Sequence, residues 1–321
     1  IVGSLMGTAV GDALGMPIEG LSHQNVRTYY KGIKEYRADD QRGDLDAGQW
    51  TDDTQMTFAL VRALTHAASP DDWPEAAAEA YVELYNGPER RRWGSTSTTA
   101  IERLVDGTPP TEAGPPDRDS DGAAMRAAPL GSWWAVTDAD RETAFAAFRP
   151  VFSVTHRHPA ALAAGWGQAN AVRLLLQAAN VDAFDRESFW TTLLQDTIWA
   201  EDRLGGDHRV SERLRTLTDI IDAFPLDLRD ACDGVSVRAD EAWPFAVAMV
   251  ARRAHLLENT LLSGINVGGD ADTTGAMMGA MLGALHGWTA FPDEWHDGLE
   301  DAARLEEEAQ AFVEGLLARE T

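Results

Sequence analysis

The chain is poor in cysteine and has no long apolar run. Cys232 is the only cysteine among 321 residues, which excludes a disulfide framework and a zinc site built from several thiolates. A single free thiol fits a reducing compartment, so we expect a cytoplasmic location. No apolar stretch approaches the roughly 20 residues that cross a bilayer, and no signal-peptide pattern is visible. We therefore expect no membrane span.

Basic charge is also scarce. The chain has 52 acidic residues against 27 basic ones, a formal net charge of −25, and nearly all of the basic residues are arginines. A surface of this sign repels a phosphate backbone. The composition therefore argues against binding to the backbone of a nucleic acid.

Alternating, β-branched segments are rare, and helix formers at helical periodicity dominate. The pattern predicts an all-α fold, a single compact multi-helix domain over residues 1–321. Residues 26–36 alone suit a strand or an irregular loop, and residues 106–121, rich in proline, glycine and acid, suit a long surface loop. Helices are predicted over residues 56–66, 73–85, 98–105, 160–178, 188–199, 210–223, 244–261, 273–286 and 299–318.

Glycines recur every four residues in two segments of the chain. A glycine inside a helix costs about 1 kcal/mol relative to alanine, so the repetition needs either a compensating contact or a general bias toward small residues. Residues four apart share a helix face, and a face without side chains permits close backbone approach. We predict that both helices are central and tightly packed, with packing against each other as one arrangement. The two series are Gly3, Gly7, Gly11 and Gly15, and Gly275, Gly279, Gly283 and Gly287.

Two acidic clusters lie far apart in the sequence: Thr51-Asp52-Asp53-Thr54 and Gly269-Asp270-Ala271-Asp272-Thr273-Thr274. Carboxylates at this density repel one another. Two hard divalent cations such as Mg²⁺ or Mn²⁺, which favour oxygen ligands, relieve that repulsion. The same residues also suit helix N-termini, where aspartate and threonine are common. Because both clusters lead into apolar helices, we favour a two-metal hydrolase site.

Five motifs, in order and spacing, resemble those of the ADP-ribosylglycohydrolase family. They extend from the first glycine helix to about Gly287 and are GTAVGDALGMPIEG (7–20), QWTDDTQM (49–56), GAAMRAAPLG (122–131), VTHRHPAALAAG (154–165) and INVGGDADTTGAMMGA (265–280). The resemblance implies an all-α fold with a binuclear Mg²⁺ or Mn²⁺ site in a central cleft lined by loops and helix ends.

The resemblance also implies roles for individual residues. Glu19 becomes a candidate acid–base or ligand-gating residue, although a lone glutamate after a helix is otherwise a solvated charge. The implied catalytic residues are Glu19, Asp53 and Asp272. The implied metal ligands are Thr51, Asp52, Asp53, Asp270, Asp272 and Thr273, and the implied substrate contacts are Ser120, Asp121, Gly122 and His156.

The loop before Met125 departs from the family pattern. Relatives commonly carry a Gly-Asn-Gly run there, where this chain has Asp119-Ser120-Asp121-Gly122. Backbone amides at a helix N-terminus suit a diphosphate, but acidic side chains beside it are unfavourable unless a metal or an arginine offsets them. The arrangement of the substrate phosphates therefore stays open.

Three further polar residues are interpreted as structural. Arg126 is expected in a buried ion pair rather than on a phosphate, and His158 is expected to support the fold. Asp12 lies in an otherwise apolar helix, where a charge needs a partner. We favour a structural hydrogen-bonding role for Asp12 over a catalytic one.

The resemblance, together with the acidic clusters, implies a metal-dependent hydrolase that cleaves the glycosidic bond at the anomeric carbon of ADP-ribose. The implied cofactors are two divalent cations, Mg²⁺ or Mn²⁺, and the implied partners are ADP-ribosylated proteins or small molecules. Two other functions stay open: a two-metal phosphoester hydrolase acting on an ADP-ribose derivative, and a non-catalytic ADP-ribose-binding protein. The intact acidic clusters argue against the non-catalytic alternative.

Overall fold

The computed structural model describes residues 1–319, and helices form most of this range. No β-strand forms within it, and isolated bridges join Ser22 to Gly268 and Ser120 to Arg238. The predicted all-α fold is confirmed. The α-helices are α1 (Val2–Gly15), α2 (His23–Asn25), α3 (Asp52–His66), α4 (Trp73–Asn86), α5 (Ser95–Val105), α6 (Pro110–Ala113), α7 (Gly122–Met125), α8 (Ala128–Thr137), α9 (Arg141–Ser153), α10 (Pro159–Gln177), α11 (Arg186–Leu204), α12 (Arg209–Thr218), α13 (Pro225–Ala231), α14 (Ala239–Arg253), α15 (Leu257–Ile265), α16 (Ala271–His286), α17 (Asp293–Gly298) and α18 (Ala302–Arg319).

Helices α1 and α16 pack against each other through their glycines. This is one of the arrangements expected from the sequence. A Cβ atom added at Gly7 or Gly11 would come within 3.0 Å of the α16 backbone, and one added at Gly279 would collide with the carbonyl of Gly7. The missing side chains therefore bring the two backbones into direct contact. Gly287 is the exception, because it follows α16 with a φ of +79°, and a Cβ atom added there would have no neighbour within 4 Å.

The α1–α16 pair lies at the centre of a continuous hydrophobic core. Helix α1 also contacts α3 and α18, whereas α16 contacts α10, α14 and α15. Every residue of α1 from Gly3 to Gly15 is buried. Because α3 and α16 both begin beside the C-terminal part of α1, this packing brings the two acidic clusters together.

Several predicted helices have different bounds in the structure; α11, for example, extends to Leu204, beyond the predicted end at 199. The helix expected over 244–261 is two helices, α14 and α15, because the chain turns after Arg253. The Arg253 carbonyl accepts from the Leu256 N–H at 2.9 Å and from the Thr260 hydroxyl at 2.7 Å, so a tight turn and a side chain take the place of the next helical hydrogen bond. Helix α12 ends at Thr218, five residues before the predicted end at 223.

Two of the longer helices and one turn were not anticipated, and neither were the short helices α2, α6, α13 and α17. Helix α8 is apolar on nearly all faces and so lacks the polar stripe by which helices are found. Helix α9 contains Pro150, which sequence reasoning takes as a break. Residues 26–36 begin with a π-helical turn, Val26–Tyr30, and contain no strand. Residues 106–121 form the expected loop, interrupted by the short helix α6.

The two glycine-rich helices are interior elements. Helices α1 and α16 have 14 and 16 residues and are buried along almost their whole length. Within residues 1–319, no helix combines the length and the apolar character needed to span a membrane.

Candidate metal centre and active-site cleft

One cleft of about 170 Å³ is lined by the acidic residues and the other polar residues predicted to form the site. The first turns of α3 and α16, the loop after α1 and the loop before α7 form its wall. Thr51 is fully buried beside it. All the other candidate residues line the cleft: Glu19, Asp52, Asp53, Ser120, Asp121, Gly122, His156, Asp270, Asp272 and Thr273.

The first acidic cluster is held in place by Asp12 of α1. Asp12 accepts hydrogen bonds from the backbone N–H of Thr51 at 2.9 Å and from the Thr54 hydroxyl at 2.6 Å. The Thr54 N–H and the Thr51 hydroxyl add two more contacts, at 3.1 and 3.0 Å. These bonds fix the N-terminus of α3, so Asp12 has the structural hydrogen-bonding role that we favoured.

The second cluster is positioned by two glycines with left-handed backbones. Gly268 and Gly269 have φ of +77° and +80°, and a Cβ at either would collide with a carbonyl of a neighbouring segment. The Gly269 N–H donates to the Leu21 carbonyl at 2.8 Å, and the Asp270 N–H donates to the Val235 carbonyl at 2.9 Å. The start of α16 is therefore tied to the loop after α1 and to the segment before α14.

Four carboxylate oxygens in the cleft are buried and have no hydrogen-bond partner: Asp53 Oδ1, Asp121 Oδ2, Asp270 Oδ2 and Asp272 Oδ1. Unpartnered buried acceptors are rare in native proteins and indicate a missing ion or ligand. One oxygen each of Asp12, Asp53 and Asp272 lie within 4.8 Å of one another. Both oxygens of Asp12 already accept hydrogen bonds. The oxygens without a partner are therefore those of Asp53, Asp121, Asp270 and Asp272. This all-oxygen donor set fits hard divalent cations.

Helix capping does not account for these side chains. Thr51 caps α3 and accepts from the Asp53 N–H. Asp270 and Asp121, by contrast, stand at N-cap positions of α16 and α7 without making a side-chain capping bond. Their carboxylates therefore have no structural partner at the helix ends.

Burial and mutual repulsion raise the pKa of the clustered carboxyl groups. Burial is the largest cause for Asp52, whose pKa rises to about 8, and for Asp12, whose pKa rises to about 6. Neighbouring carboxylates raise the pKa of Asp52 further. The same causes hold four other pKa values well above the usual range, those of Asp53, Asp121, Asp270 and Asp272. Asp52 therefore keeps its proton at neutral pH unless a cation replaces it, and the other raised pKa values favour uptake of a proton or a cation in the same way.

A directed chain of hydrogen bonds runs along the cleft wall opposite the carboxylates. Arg126 donates to the Thr155 hydroxyl, which lies 2.8 Å from His156 Nδ1. Because a guanidinium only donates, the Thr155 oxygen accepts from Arg126 and its proton is available to Nδ1, which suits the tautomer with the ring proton on Nε2. Nε2 then donates to Ser120 Oγ at 3.0 Å, and Ser120 donates to Thr96 at 2.9 Å. Burial lowers the pKa of His156 well below its usual value, so the ring is neutral.

His156 therefore orients its neighbours with both ring nitrogens. Its ring also lies against Gly122, where an added Cβ would come within 3.0 Å of the ring atoms. Only glycine fits at this position. The histidine fixes the loop that carries Ser120 and Gly122 along the cleft.

The expectation for Arg126 was correct in one part and wrong in the other. The side chain is fully buried, but its partners in the described part of the chain are neutral. It donates to the Gly122 carbonyl and the Thr155 hydroxyl, and its guanidinium lies 5.5 Å from the Tyr81 ring centroid. The predicted ion pair is replaced by hydrogen bonds and a cation–π contact. His158 is structural as expected, since its Nδ1 accepts from the Ala160 N–H at the start of α10.

Glu19 lies at the rim of the cleft, between two arginines. Its carboxylate accepts from Arg42 at 2.7 Å and from Arg92 at 3.4 Å. Arg92 is itself held by Asp39 at 2.7 Å and by Asp44. Glu19 is therefore an ion-paired residue in this structure rather than a free solvated charge.

Sequence reasoning missed Arg92, which lines the cleft from a left-handed backbone with φ of +50°. Such a φ is uncommon outside glycine and occurs where the surrounding structure over-determines it. The available signal was a run of three arginines, Arg90 to Arg92, in a strongly acidic chain. Thr96 and Ser97, in the first turn of α5, also line the cleft, and α5 begins without a side-chain cap.

Comparison with known proteins gives the same family over the whole chain. The ADP-ribosylglycohydrolase family profile matches residues 1–321. An uncharacterised protein of Archaeoglobus fulgidus is 35% identical over 314 residues, which cover 97% of this chain and 94% of that protein. The ADP-ribosyl-(dinitrogen reductase) glycohydrolase of Rhodospirillum rubrum is 28% identical, covering 99% and 95%. A solved ADP-ribosylglycohydrolase-related protein complex has the same fold, with a TM-score of 0.67 at 24% identity, covering 98% and 97%. The chain belongs to the ADP-ribosylglycohydrolase family.

Proposed function

We propose that the protein hydrolyses the glycosidic bond at the anomeric carbon of ADP-ribose carried by a protein side chain or a small group. The observation that carries this proposal is the set of four buried, unpartnered carboxylate oxygens that share one cleft. A binding protein has no need of such a costly arrangement, because buried charges without partners destabilise the fold.

Two divalent cations, Mg²⁺ or Mn²⁺, are the cofactors that fit this donor set. They would supply Lewis-acid charge to the ribose hydroxyl groups and to the attacking water. The proposed ligands come from the two ends of the sequence and are Thr51, Asp52, Asp53, Asp270, Asp272 and Thr273.

The carboxylates of the cleft also supply the proton transfers that hydrolysis needs. Asp53 and Asp272 have open oxygens in the centre of the cleft, where a carboxylate accepts the proton of the attacking water. Glu19 lines the same cleft from the rim and is the proposed further acid–base or ligand-gating residue. Cleavage at an anomeric carbon passes through an oxocarbenium-like transition state.

The opposite wall is the proposed substrate-binding surface. Ser120 and Gly122 present a hydroxyl and a bare backbone to the cleft, and His156 holds both in place. An ADP-ribosylated protein or small molecule is the proposed partner, with the ADP-ribose lying along this wall.

Isotope labelling distinguishes the proposed reaction from phosphoester hydrolysis. The protein is incubated with MnCl₂ and ADP-ribose 1″-phosphate in ¹⁸O-labelled water, and the released phosphate is analysed by mass spectrometry. Attack at the anomeric carbon leaves the phosphate unlabelled, which is the expected result. Labelled phosphate means attack at phosphorus and contradicts the proposal. Asp272→Asn serves as the inactive control, and the exposed Asp117→Asn serves as the matched active one.

A further inference from the structure

Asp121 and Asp270 are anchored to the same short segment of backbone. The Asp121 N–H donates to the Val237 carbonyl at 3.0 Å, and the Asp270 N–H donates to the Val235 carbonyl at 2.9 Å. The Asp121 carbonyl in turn accepts from the Ala124 N–H at 2.7 Å. The two aspartates are 149 positions apart in the sequence, yet these bonds fix their Cα atoms side by side.

The Asp121 side chain points toward the acidic clusters. The residue is only 5% exposed, and its Oδ2 has no hydrogen-bond partner. Its carboxylate lies within hydrogen-bonding reach of the Asp270 carboxylate and within electrostatic reach of Asp53 and Asp272. A carboxylate that faces another carboxylate has no favourable interaction unless a proton or a cation lies between them.

The neighbouring Asp119 shows what an ordinary charge on this loop does. Asp119 forms ion pairs with Arg209 and Arg238, each at 2.9 Å, and does not line the cleft. Asp121 neither caps α7 nor pairs with an arginine in the described part of the chain. The loop therefore separates two aspartates, one neutralised outside the cleft and one left open inside it.

We propose that Asp121 is a ligand of the metal centre, so that this chain holds its divalent cations with five carboxylates rather than four. The inference rests on the proposed two-cation centre. In this role Asp121 binds a cation instead of lying as an unpaired carboxylate beside the substrate diphosphate, an arrangement that looked unfavourable in the sequence. Its charge is offset by a cation at the Asp270 side of the cleft.

A fifth carboxylate has a predictable effect on the centre. Four carboxylates balance the charge of two divalent cations, and one more raises the affinity for hard cations. The same charge disfavours a substrate phosphate at this end of the cleft. The diphosphate is then expected to lie farther along the wall of Ser120 and Thr96.

Manganese binding tests the assignment without reference to turnover. Chelator-stripped protein is titrated with MnCl₂ by isothermal titration calorimetry, and free Mn²⁺ is followed by electron paramagnetic resonance. The variants are Asp121→Asn and Asp121→Ser, with Asp270→Asn as the ligand control and Asp119→Asn as the matched control on the same loop. Thermal unfolding without metal checks that each variant folds.

The expected result is two Mn²⁺ per wild-type chain and a loss of at least about tenfold in affinity for one of them in both Asp121 variants and in Asp270→Asn. Asp119→Asn should keep the wild-type affinities. Wild-type affinities for both ions in Asp121→Asn would overturn the inference and leave a carboxyl pair that shares a proton, or a substrate contact. Absence of stoichiometric Mn²⁺ in the wild type would instead overturn the two-cation centre itself.

Discussion

At the scale of single residues, the cleft is built from side chains that hold other side chains. Neither carboxylate oxygen of Asp12 is free to bind a ligand, since the two oxygens accept hydrogen bonds from Thr51 and Thr54. It nevertheless determines where α3 begins, and hence where Asp52 and Asp53 point. His156 has the same kind of role on the opposite wall, because both of its ring nitrogens are used inside the protein.

His156→Phe tests that positioning role. The variant removes the hydrogen bond to Ser120, and a net hydrogen bond is worth about 1 kcal/mol. We expect kcat/KM to fall about fivefold to tenfold, mostly through KM, because the residue orients the substrate wall and not the carboxylates. The measurement is steady-state kinetics together with Mn²⁺ affinity.

The control for this variant is His158→Asn, which keeps an acceptor at the N-cap of α10 and should retain wild-type kinetics. If His156→Phe instead weakened Mn²⁺ binding and left KM unchanged, the proposed positioning of the substrate wall would be wrong.

Which residues the sequence could predict depends on how local their signal is. Each acidic cluster occupies a few consecutive positions, so the high density of carboxylates that suggests a metal site can be read directly from the sequence. Beyond the run of three arginines, nothing local in the sequence marks Arg92 as a cleft residue. Its place at the rim depends on contacts with Glu19 and Asp39, more than fifty positions away. The direction in which Asp121 points is equally invisible, since it depends on a backbone bond to Val237.

At the scale of helices, the α1–α16 contact is the feature on which the cleft depends. The two backbones touch where their glycines face each other, and this close approach brings the N-terminus of α16 beside Asp12. The spacing of glycines predicted the contact because a four-residue repeat has a direct steric meaning. The break between α14 and α15 was not predictable in the same way, since it involves a tight backbone turn at Leu256 and the Thr260 hydroxyl.

Gly11→Ala measures the importance of this contact. A Cβ there would collide with the carbonyl of Gly275, and overpacking of this kind costs about 1–3 kcal/mol or more. We expect a lower free energy of unfolding in urea and weaker Mn²⁺ binding, because α16 must move.

The matched control is Gly315→Ala in α18, where the nearest atom is Thr65 Cγ2 at 3.8 Å. That variant should be stabilised by up to about 1 kcal/mol, as for glycine to alanine in an open helix. Equal effects of the two substitutions would show that the glycine ridge has no packing role.

At the scale of the whole molecule, the stability should depend on pH and on metal together. The pKa of Asp52 rises to about 8 and that of Asp12 to about 6 in the folded chain, from an unfolded value of 3.8. The metal-free folded state therefore binds more protons than the unfolded state, and stability falls as pH rises between these values. Divalent cations replace the protons, so their stabilising effect should grow over the same range.

Thermal unfolding between pH 5.5 and 8.5 checks this prediction, with chelator and with MnCl₂. We expect the Tm to fall with pH in chelator and to fall less, or rise, with Mn²⁺. Asp52→Asn should flatten the metal-free profile. A metal-free Tm that rises steadily across this range would contradict the crowding of buried carboxylates.

The global fold was accessible from sequence because helical periodicity and five ordered motifs cover most of the chain. Helix ends and the loop geometry were less accessible, since they depend on side chains from distant segments.

The most direct test of the account is the release of ADP-ribose by chelator-stripped protein as MnCl₂ is added back. The substrates are arginine-linked and serine-linked ADP-ribose, ADP-ribose 1″-phosphate and O-acetyl-ADP-ribose. The account predicts release from at least one of them, saturating near two Mn²⁺ per chain and absent in Asp272→Asn. Release that persists in chelator, or no release from any substrate with Mn²⁺ fully bound, would contradict it.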